Sequence, residues 1–168
     1  MIHTPGMAVH RIHLKGPWQY EPLRSVEPNA VSHELPPPGR ATMPCTWQQM
    51  LGDFRGVVRF VRPFHRPTNL DPNERVFVVF LAVGGHGEVR LNGQPLGRLE
   101  TRTGPQAAEI TDHLCPDMQL SIDLEFISTD AAIPGGLWGP VALEIRSVKS
   151  ELVTQFPLAP GGGEGARG

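Results

Sequence analysis

The sequence has few of the features that mark several large protein classes. It contains only two cysteines, Cys45 and Cys115, and neither lies in a CxxC pair or at a metal-ligand spacing. The two thiols are compatible with one disulfide or with two free cysteines. No apolar run approaches the roughly 18 residues of a membrane-spanning helix, and residues 1–16 lack the apolar segment of a signal peptide. We therefore expect a cytoplasmic protein without membrane contact, or one whose signal has been removed.

The sequence also lacks an excess of positive charge and the common catalytic motifs. Its formal net charge is −2 at pH 7, whereas a nucleic-acid-binding surface is basic. The seven histidines form no HExxH motif. There is no GxSxG motif, and no GxGxxG precedes a helix-like segment. We expect no nucleic-acid partner, no metal and no cofactor.

Short strands are the dominant pattern, and no segment has a sustained 3.6-residue period. Glycine (19) and proline (18) separate short apolar runs throughout the chain. Residues 119–126 and 141–146 alternate apolar and polar side chains, as a half-buried strand does. Residues 75–83 are almost continuously apolar, which predicts a central strand. Residues 57–64 alternate less cleanly and contain Pro63, which favours a position nearer an edge.

The remaining segments are predicted with weaker signals. Further strands are expected at 10–15, 18–21 and 148–154. One helical turn is expected from Thr111 to Leu114, with Thr111 or Asp112 as its cap.

An Asn-Gly pair at Asn92 and Gly93 predicts a β-hairpin, because both central residues of a type I′ turn need positive φ. A two-residue loop sets the register of the flanking strands. The predicted pairs are Leu91 with Gln94, Arg90 with Pro95, and Val89 with Leu96. Val89, Leu91 and Leu96 would then share the core-facing side.

Together these patterns predict an all-β protein built as an antiparallel β-sandwich. We expect an N-terminal lead-in at residues 1–9, one sandwich domain at 10–156, and a disordered tail at 157–168. The tail is rich in glycine and was not expected to bury any side chain.

Four segments, in order, resemble the N-terminal sugar-binding domain of family-two glycoside hydrolases, the β-galactosidase, β-glucuronidase and β-mannosidase group. The segments are IHLKGPWQYEPL, MPCTWQQMLGDFRGVVRFVRPF, AVGGHGEVRLNGQPLGRLETRTGPQAAEITDHL and PGGLWGPVALEI. The resemblance covers roughly residues 10–148. The chain departs from the family pattern at Val57-Val58, where a tyrosine is usual, and at Gly139, where an arginine is common.

The resemblance implies a galactose-binding-like jelly roll and a non-catalytic role. In the family the two catalytic carboxyl groups lie on a separate (β/α)₈ barrel, which needs about 250 residues. Asp123 and Glu125 lie two residues apart on one strand, and an exposed polar strand face explains their alternation more simply than a catalytic pair. We expect no catalytic residue in this chain.

The function expected from the resemblance is carbohydrate binding. An indole ring can cover the apolar face of a sugar, which nominates Trp47 and Trp138. Asp53, Arg55 and Asp130 would bind hydroxyl groups, at a rim where loops 44–56 and 128–140 meet. The alternatives are that both tryptophans fill the core, and that Asp53 and Arg55 form a surface ion pair.

Three roles stay open on the sequence alone. The first is a non-catalytic carbohydrate-binding module. The second is a structural or protein-interaction sandwich that has lost its sugar site and docks on a catalytic partner protein. The third is a fragment of a truncated glycosidase.

Overall fold

A computed structural model describes residues 9–26, 34–147 and 156–158, which form two facing β-sheets. The strands are β1 (His10–His13), β2 (Trp18–Ser25), β3 (Gly39–Ala41), β4 (Gly56–His65), β5 (Glu74–Val83), β6 (His86–Leu91), β7 (Gln94–Leu99), β8 (Arg102–Glu109), β9 (Asp117–Phe126), β10 (Val141–Ser147) and β11 (Phe156–Pro157). The five-stranded sheet has the order β1-β10-β5-β8-β11, and the six-stranded sheet has the order β3-β2-β4-β9-β6-β7. Only β11 and β8 pair in parallel among the described strands. The predicted antiparallel β-sandwich is confirmed.

The core lies between the sheets, where the strands place alternate side chains. The predicted core positions of β9 and β10 are all buried: Leu120, Ile122, Leu124, Phe126, Val141, Leu143 and Ile145. Strand β5 lies in the middle of its sheet, between β10 and β8, as its apolar run predicts.

Leu124 gives a direct test of this core. Its side chain is fully buried, and its strand neighbours are Val58 on β4 and Gly87 on β6. We expect Leu124→Ala to lower the free energy of unfolding by about 2–5 kcal/mol, because the change leaves a cavity in a packed interior. Urea denaturation followed by tryptophan fluorescence measures this. Ser121→Ala on the opposite face of β9 is the control, and equal losses in both variants would contradict the assignment.

The edge position predicted for residues 57–64 is wrong. Strand β4 lies inside the six-stranded sheet, between β2 and β9. Pro63 was the reason for the prediction, but β2 pairs with β4 only from Gly56 to Val61. Beyond Val61 no strand of the described residues pairs with that side of β4, so the missing N–H of Pro63 leaves no ladder hydrogen bond unmade there.

The predicted hairpin forms, but its register changes after two pairs. Leu91 pairs with Gln94 and Arg90 with Pro95, whereas Val89 pairs with Gly97 instead of Leu96. The extra residue makes a β-bulge at Gly97, whose φ of 147° favours glycine. The bulge has a physical reason: it places Leu99, which is fully buried, on the core-facing side where a regular ladder would place Arg98.

The helical prediction was too restricted. Residues Thr111–His113 form a 3₁₀ turn without a side-chain cap, and a genuine helix, α1 (Trp47–Leu51), was missed. Thr46 caps α1 by accepting from the Gln49 backbone N–H, and the Gln49 side chain accepts from the Thr46 backbone N–H. This reciprocal capping box has a recognisable sequence signature, Thr46 followed three residues later by Gln49.

The C-terminal boundary needs a correction as well. Pro157 belongs to β11, and Leu158 packs against the core and donates its backbone N–H to the carbonyl oxygen of Ala107. These two residues are therefore part of the sandwich and not of the tail predicted from residue 157. The strand predicted at 148–154 and the rest of the tail lie outside the described residues.

Candidate carbohydrate-binding surface

The two loops nominated for sugar binding meet at one end of the sandwich. Trp47 donates its backbone N–H to the carbonyl of Gly135 at 2.7 Å, and Cys45 donates to Leu137 at 3.1 Å. The Gln48 side chain donates to the carbonyl of Ile133 at 2.9 Å and accepts from the Gly135 N–H at 3.1 Å. We call residues 44–56 and 128–140 the loop rim. These hydrogen bonds, together with one from Arg55 to the Ser128 carbonyl, join the two loops into one connected surface.

Trp47 does not offer an aromatic face to a ligand. Its side chain has no solvent exposure. The indole lies parallel to the ring of Phe54, with centroids 6.2 Å apart, and tilts against Phe126 at 5.4 Å. Its Nε1 donates to the carbonyl of Phe54 at 2.7 Å. The indole ring and its N–H therefore make all their contacts inside the protein. Trp47 fills the core, which was the alternative to sugar binding.

Arg55 is likewise engaged within the loop rim. Only 7% of the residue is exposed. Its Nε donates to the carbonyl of Ser128 at 2.5 Å, and its Nη1 donates to the carbonyls of Gly52 and Phe54, each at 2.9 Å. The guanidinium also lies over the ring of Phe126. Arg55 therefore ties the two loops together through backbone carbonyls, in place of the surface ion pair considered with Asp53.

Three nominated residues keep exposed surface at the loop rim. Trp138 is half-buried between Leu137 and Gly139, which are both buried. Asp53 and Asp130 are exposed. The Asp130 carboxylate accepts the Ala132 N–H at 2.9 Å, which shapes the loop without burying the charge. Of the nominated residues, one aromatic side chain and two carboxylates therefore keep accessible surface, and Phe54, which was not nominated, is half-buried in the same rim.

Packing explains one departure from the family pattern. A Cβ placed on Gly139 would lie 2.6 Å from the Ala82 Cβ and 2.6 Å from the Ala82 backbone nitrogen. The Gly139 N–H also donates to the Ala82 carbonyl at 3.1 Å. The backbone at Gly139 lies too close to Ala82 to leave room for a side chain, and least of all for an arginine.

Of the two acidic residues considered as a catalytic pair, Asp123 has a structural role on the outer face of the six-stranded sheet. Arg59 forms two hydrogen bonds to the carboxylate of Asp123, at 2.7 and 2.9 Å. The hydrogen bond and the charge of Asp123 raise the pKa of Arg59. Glu125 is half-buried on the same strand. Within the described ranges no group of three or more His, Cys, Asp or Glu side chains has the arrangement of a metal site.

Neither Cys45 nor Cys115 forms a disulfide bond, so both are free thiols. Cys45 lies in the loop rim, and burial raises the pKa of its thiol, which lowers its reactivity. The described part of the chain includes no helix with the length and apolar character needed to cross a membrane.

Two clefts away from the loop rim were missed by the sequence analysis. One, of about 310 Å³, lies on the outer face beside Tyr20, Arg40 and Arg59. The second, of about 390 Å³, opens between the sheets where β4 ends and β9 begins. The sequence contains one indication of the second cleft. Alternation from Val58 and Phe60 places Arg62, which lines this cleft, on the core-facing side of β4.

Comparison with solved structures shows which known proteins share this fold. No family model matches the chain, and no curated protein matches its sequence. Among solved structures, it is similar to an FMN-binding β-glucuronidase from Faecalibacterium prausnitzii L2-6, with a TM-score of 0.66 and 23% identity over 83% of this chain and 23% of that one. A Bifidobacterium dentium β-glucuronidase complexed with coumarin-3-O-glucuronide matches with a TM-score of 0.64 and 17% identity, over 86% of this chain and 31% of that one.

A putative β-galactosidase from Bacteroides fragilis is similar to a comparable degree. Its TM-score is 0.62 with 22% identity, over 83% of this chain and 23% of that one. The chain thus spans between a fifth and a third of the length of these proteins. Its β-sandwich has the fold of the N-terminal domain of family-two glycoside hydrolases.

Proposed function

We propose that this chain is a non-catalytic carbohydrate-binding module whose ligand surface is the loop rim. The observation that carries the proposal is that the two loops are hydrogen-bonded to each other, and that the half-buried Trp138 and the exposed Asp53 and Asp130 lie on them. An indole face covers the C–H groups of a sugar ring, and carboxylates accept hydrogen bonds from its hydroxyls. The solved neighbours are enzymes named for glucuronides and galactosides, which supports carbohydrate as the ligand class.

The proposed surface is smaller than the one expected from the sequence. Trp47 and Arg55 stabilise the loop rim from within, so Trp138 is the one nominated aromatic side chain left to make the apolar contact. Binding of one monosaccharide should therefore be weak, with Kd in the millimolar range, because each net hydrogen bond contributes only about 0.5–1.5 kcal/mol.

A glycan array probed with the purified chain tests this proposal. We expect binding to glycans that end in a uronic acid, galactose or mannose, and we expect Trp138→Ala to lose it. Ile127→Ala is the matched control, because Ile127 is 61% exposed beside the same loop but has no aromatic face. Binding that is equally strong in the Trp138→Ala variant would refute the role of the indole.

The second candidate is a sandwich that docks on a catalytic partner protein. Two observations favour it: Trp47 is committed to the core, and Ile127 and Ile133 expose apolar surface at or beside the loop rim, 61% and 39% respectively. Absence of any glycan binding by the wild-type chain would favour this candidate over the first.

Both candidates predict that the isolated chain has no hydrolase activity. A retaining glycosidase needs two carboxyl groups about 5–5.5 Å apart. Asp123, the acid nearest to such a role in the sequence, is held by Arg59. We expect no release of chromophore from nitrophenyl β-glucuronide, β-galactoside or β-mannoside above a heat-treated sample. Turnover that disappears in a Glu125→Gln variant would show that the proposal is wrong.

A further inference from the structure

A second candidate ligand site lies at the end of the sandwich opposite the loop rim. Strand β4 starts at the loop rim with Gly56 and ends at His65, where it pairs with Asp117 of β9. The cleft between these strand ends and β1 has a volume of about 390 Å³, within the usual range for small-molecule sites. We call it the end cleft.

The floor of the end cleft is apolar. Leu14, Met118 and Leu143 line it, and each belongs to the buried core. Ile12 pairs with Leu143 and so points to the core-facing side of its sheet, yet it is 37% exposed. The cleft therefore leaves apolar surface uncovered between the two sheets, where a ligand with an apolar body would remove it from water.

One wall of the end cleft carries an arginine without a carboxylate partner. Arg62 pairs with Leu120, which is fully buried, so its side chain starts on the core-facing side of β4. Its Nη1 donates to the carbonyl of Pro63 at 2.7 Å, whereas its Nε is buried and has no hydrogen-bond partner. Within the described ranges Arg62 forms no salt bridge; the nearby Asp117 carboxylate instead lies 3.5 Å from His65 Nδ1.

A buried N–H donor on a positively charged side chain destabilises the folded state unless an acceptor forms a hydrogen bond with it. The loss is larger for a charged group than for a neutral one. The Nε edge of a guanidinium is one of the edges that bind a carboxylate through two parallel hydrogen bonds. Because Arg62 Nε has no solvent contact in this conformation, binding requires the side chain to turn that edge toward the cleft. His13 and His65 lie at the border of the same cleft and add two further N–H donors.

We propose that the end cleft binds a small carboxylic acid with an apolar body, with its carboxylate on Arg62 and its apolar part on Ile12, Met118 and Leu143. A monoanion matches a single arginine, whereas Asp117 at the opening opposes a more highly charged anion. This site is separate from the loop rim, so the proposal does not depend on the proposed function.

Titration of the full chain with three probes tests the proposal by ¹H–¹⁵N NMR. Benzoate has both required features, acetate has only the carboxylate, and benzyl alcohol has only the apolar ring. We expect saturable shifts at Ile12, Arg62 and Met118 with benzoate, and weaker binding of both other probes. If benzyl alcohol binds as tightly as benzoate, the arginine has no role; if acetate does, the apolar floor has none. Either result overturns the proposal.

Two variants test Arg62 itself. We expect Arg62→Gln to weaken benzoate binding about tenfold or more, since a hydrogen bond to a charged group is lost. Arg66→Gln, which removes the same charge from an exposed position outside the cleft lining, should leave binding unchanged. Equal affinity of both variants would overturn the proposal, and the probe comparison on the wild-type chain decides it even if Arg62→Gln does not fold.

Discussion

Replacing Trp47 by alanine is expected to lower the free energy of unfolding by about 3–5 kcal/mol. The side chain is fully buried, contacts Phe54, Phe60 and Phe126, and donates a hydrogen bond to a backbone carbonyl. Its removal leaves a large cavity and takes away one of the two hydrogen bonds to the Phe54 carbonyl, at the point where the loop rim joins the core. Chemical denaturation monitored by circular dichroism measures the loss.

Trp138→Ala is the matched control for this prediction. Trp138 belongs to the same rim but is only half-buried, so we expect a clearly smaller loss of stability. The pair of variants separates the two tryptophans by role: the first supports the fold, and the second is available to a ligand. An equal or smaller loss in Trp47→Ala than in Trp138→Ala would contradict this division.

Replacing Glu144 by alanine is expected to destabilise the protein by about 3–5 kcal/mol, through charge and not through volume. Glu144 is 1% exposed on the outer side of β10 and accepts hydrogen bonds from Arg11 and Arg146. Arg146 is itself only 7% exposed and stacks on Phe77 at 4.0 Å. Burial lowers the pKa of Arg146, and the adjacent carboxylate opposes that shift. Without Glu144 this cation stays buried without its partner.

An exposed ion pair on the same sheet provides the comparison. Arg75 and Glu109 lie 3.4 Å apart, with side chains 44% and 42% exposed. Because solvent screens such a pair, Glu109→Ala should change the unfolding free energy by less than about 1 kcal/mol. Thermal unfolding of both variants, at equal salt, measures the difference. If Glu144→Ala is no worse than Glu109→Ala, the buried network does not stabilise the sheet as described.

The architecture could be predicted because strand alternation depends on local sequence. The inward positions of β9 and β10 follow from every second residue being apolar, and burial of Leu120 and Leu143 confirms it. The features that failed depend on what lies beside the strand. Whether Pro63 disrupts β4 depends on where β2 stops pairing, and the bulge at Gly97 depends on which of Arg98 and Leu99 meets the core.

The meeting of the two nominated loops was predictable from the sequence, but the orientation of their side chains was not. The meeting of the two loops follows from the resemblance to a known domain, and hydrogen bonds such as that from Trp47 to Gly135 join them. From the sequence, however, a tryptophan in a loop is compatible both with a ligand surface and with a side chain that fills the core. Helix α1 directs Trp47 inward, where the side chain has no solvent exposure and contacts Phe54 and Phe126.

The most direct test of the proposed carbohydrate surface is a ¹H–¹⁵N NMR titration of the wild-type chain with glucuronate, galactose and mannose at millimolar concentrations. We predict saturable shifts for at least one of these sugars, clustered at residues 128–140 and around Asp53, and absent in Trp138→Ala. Unshifted spectra with all three sugars, or shifts that persist unchanged in Trp138→Ala, would contradict carbohydrate binding at the loop rim.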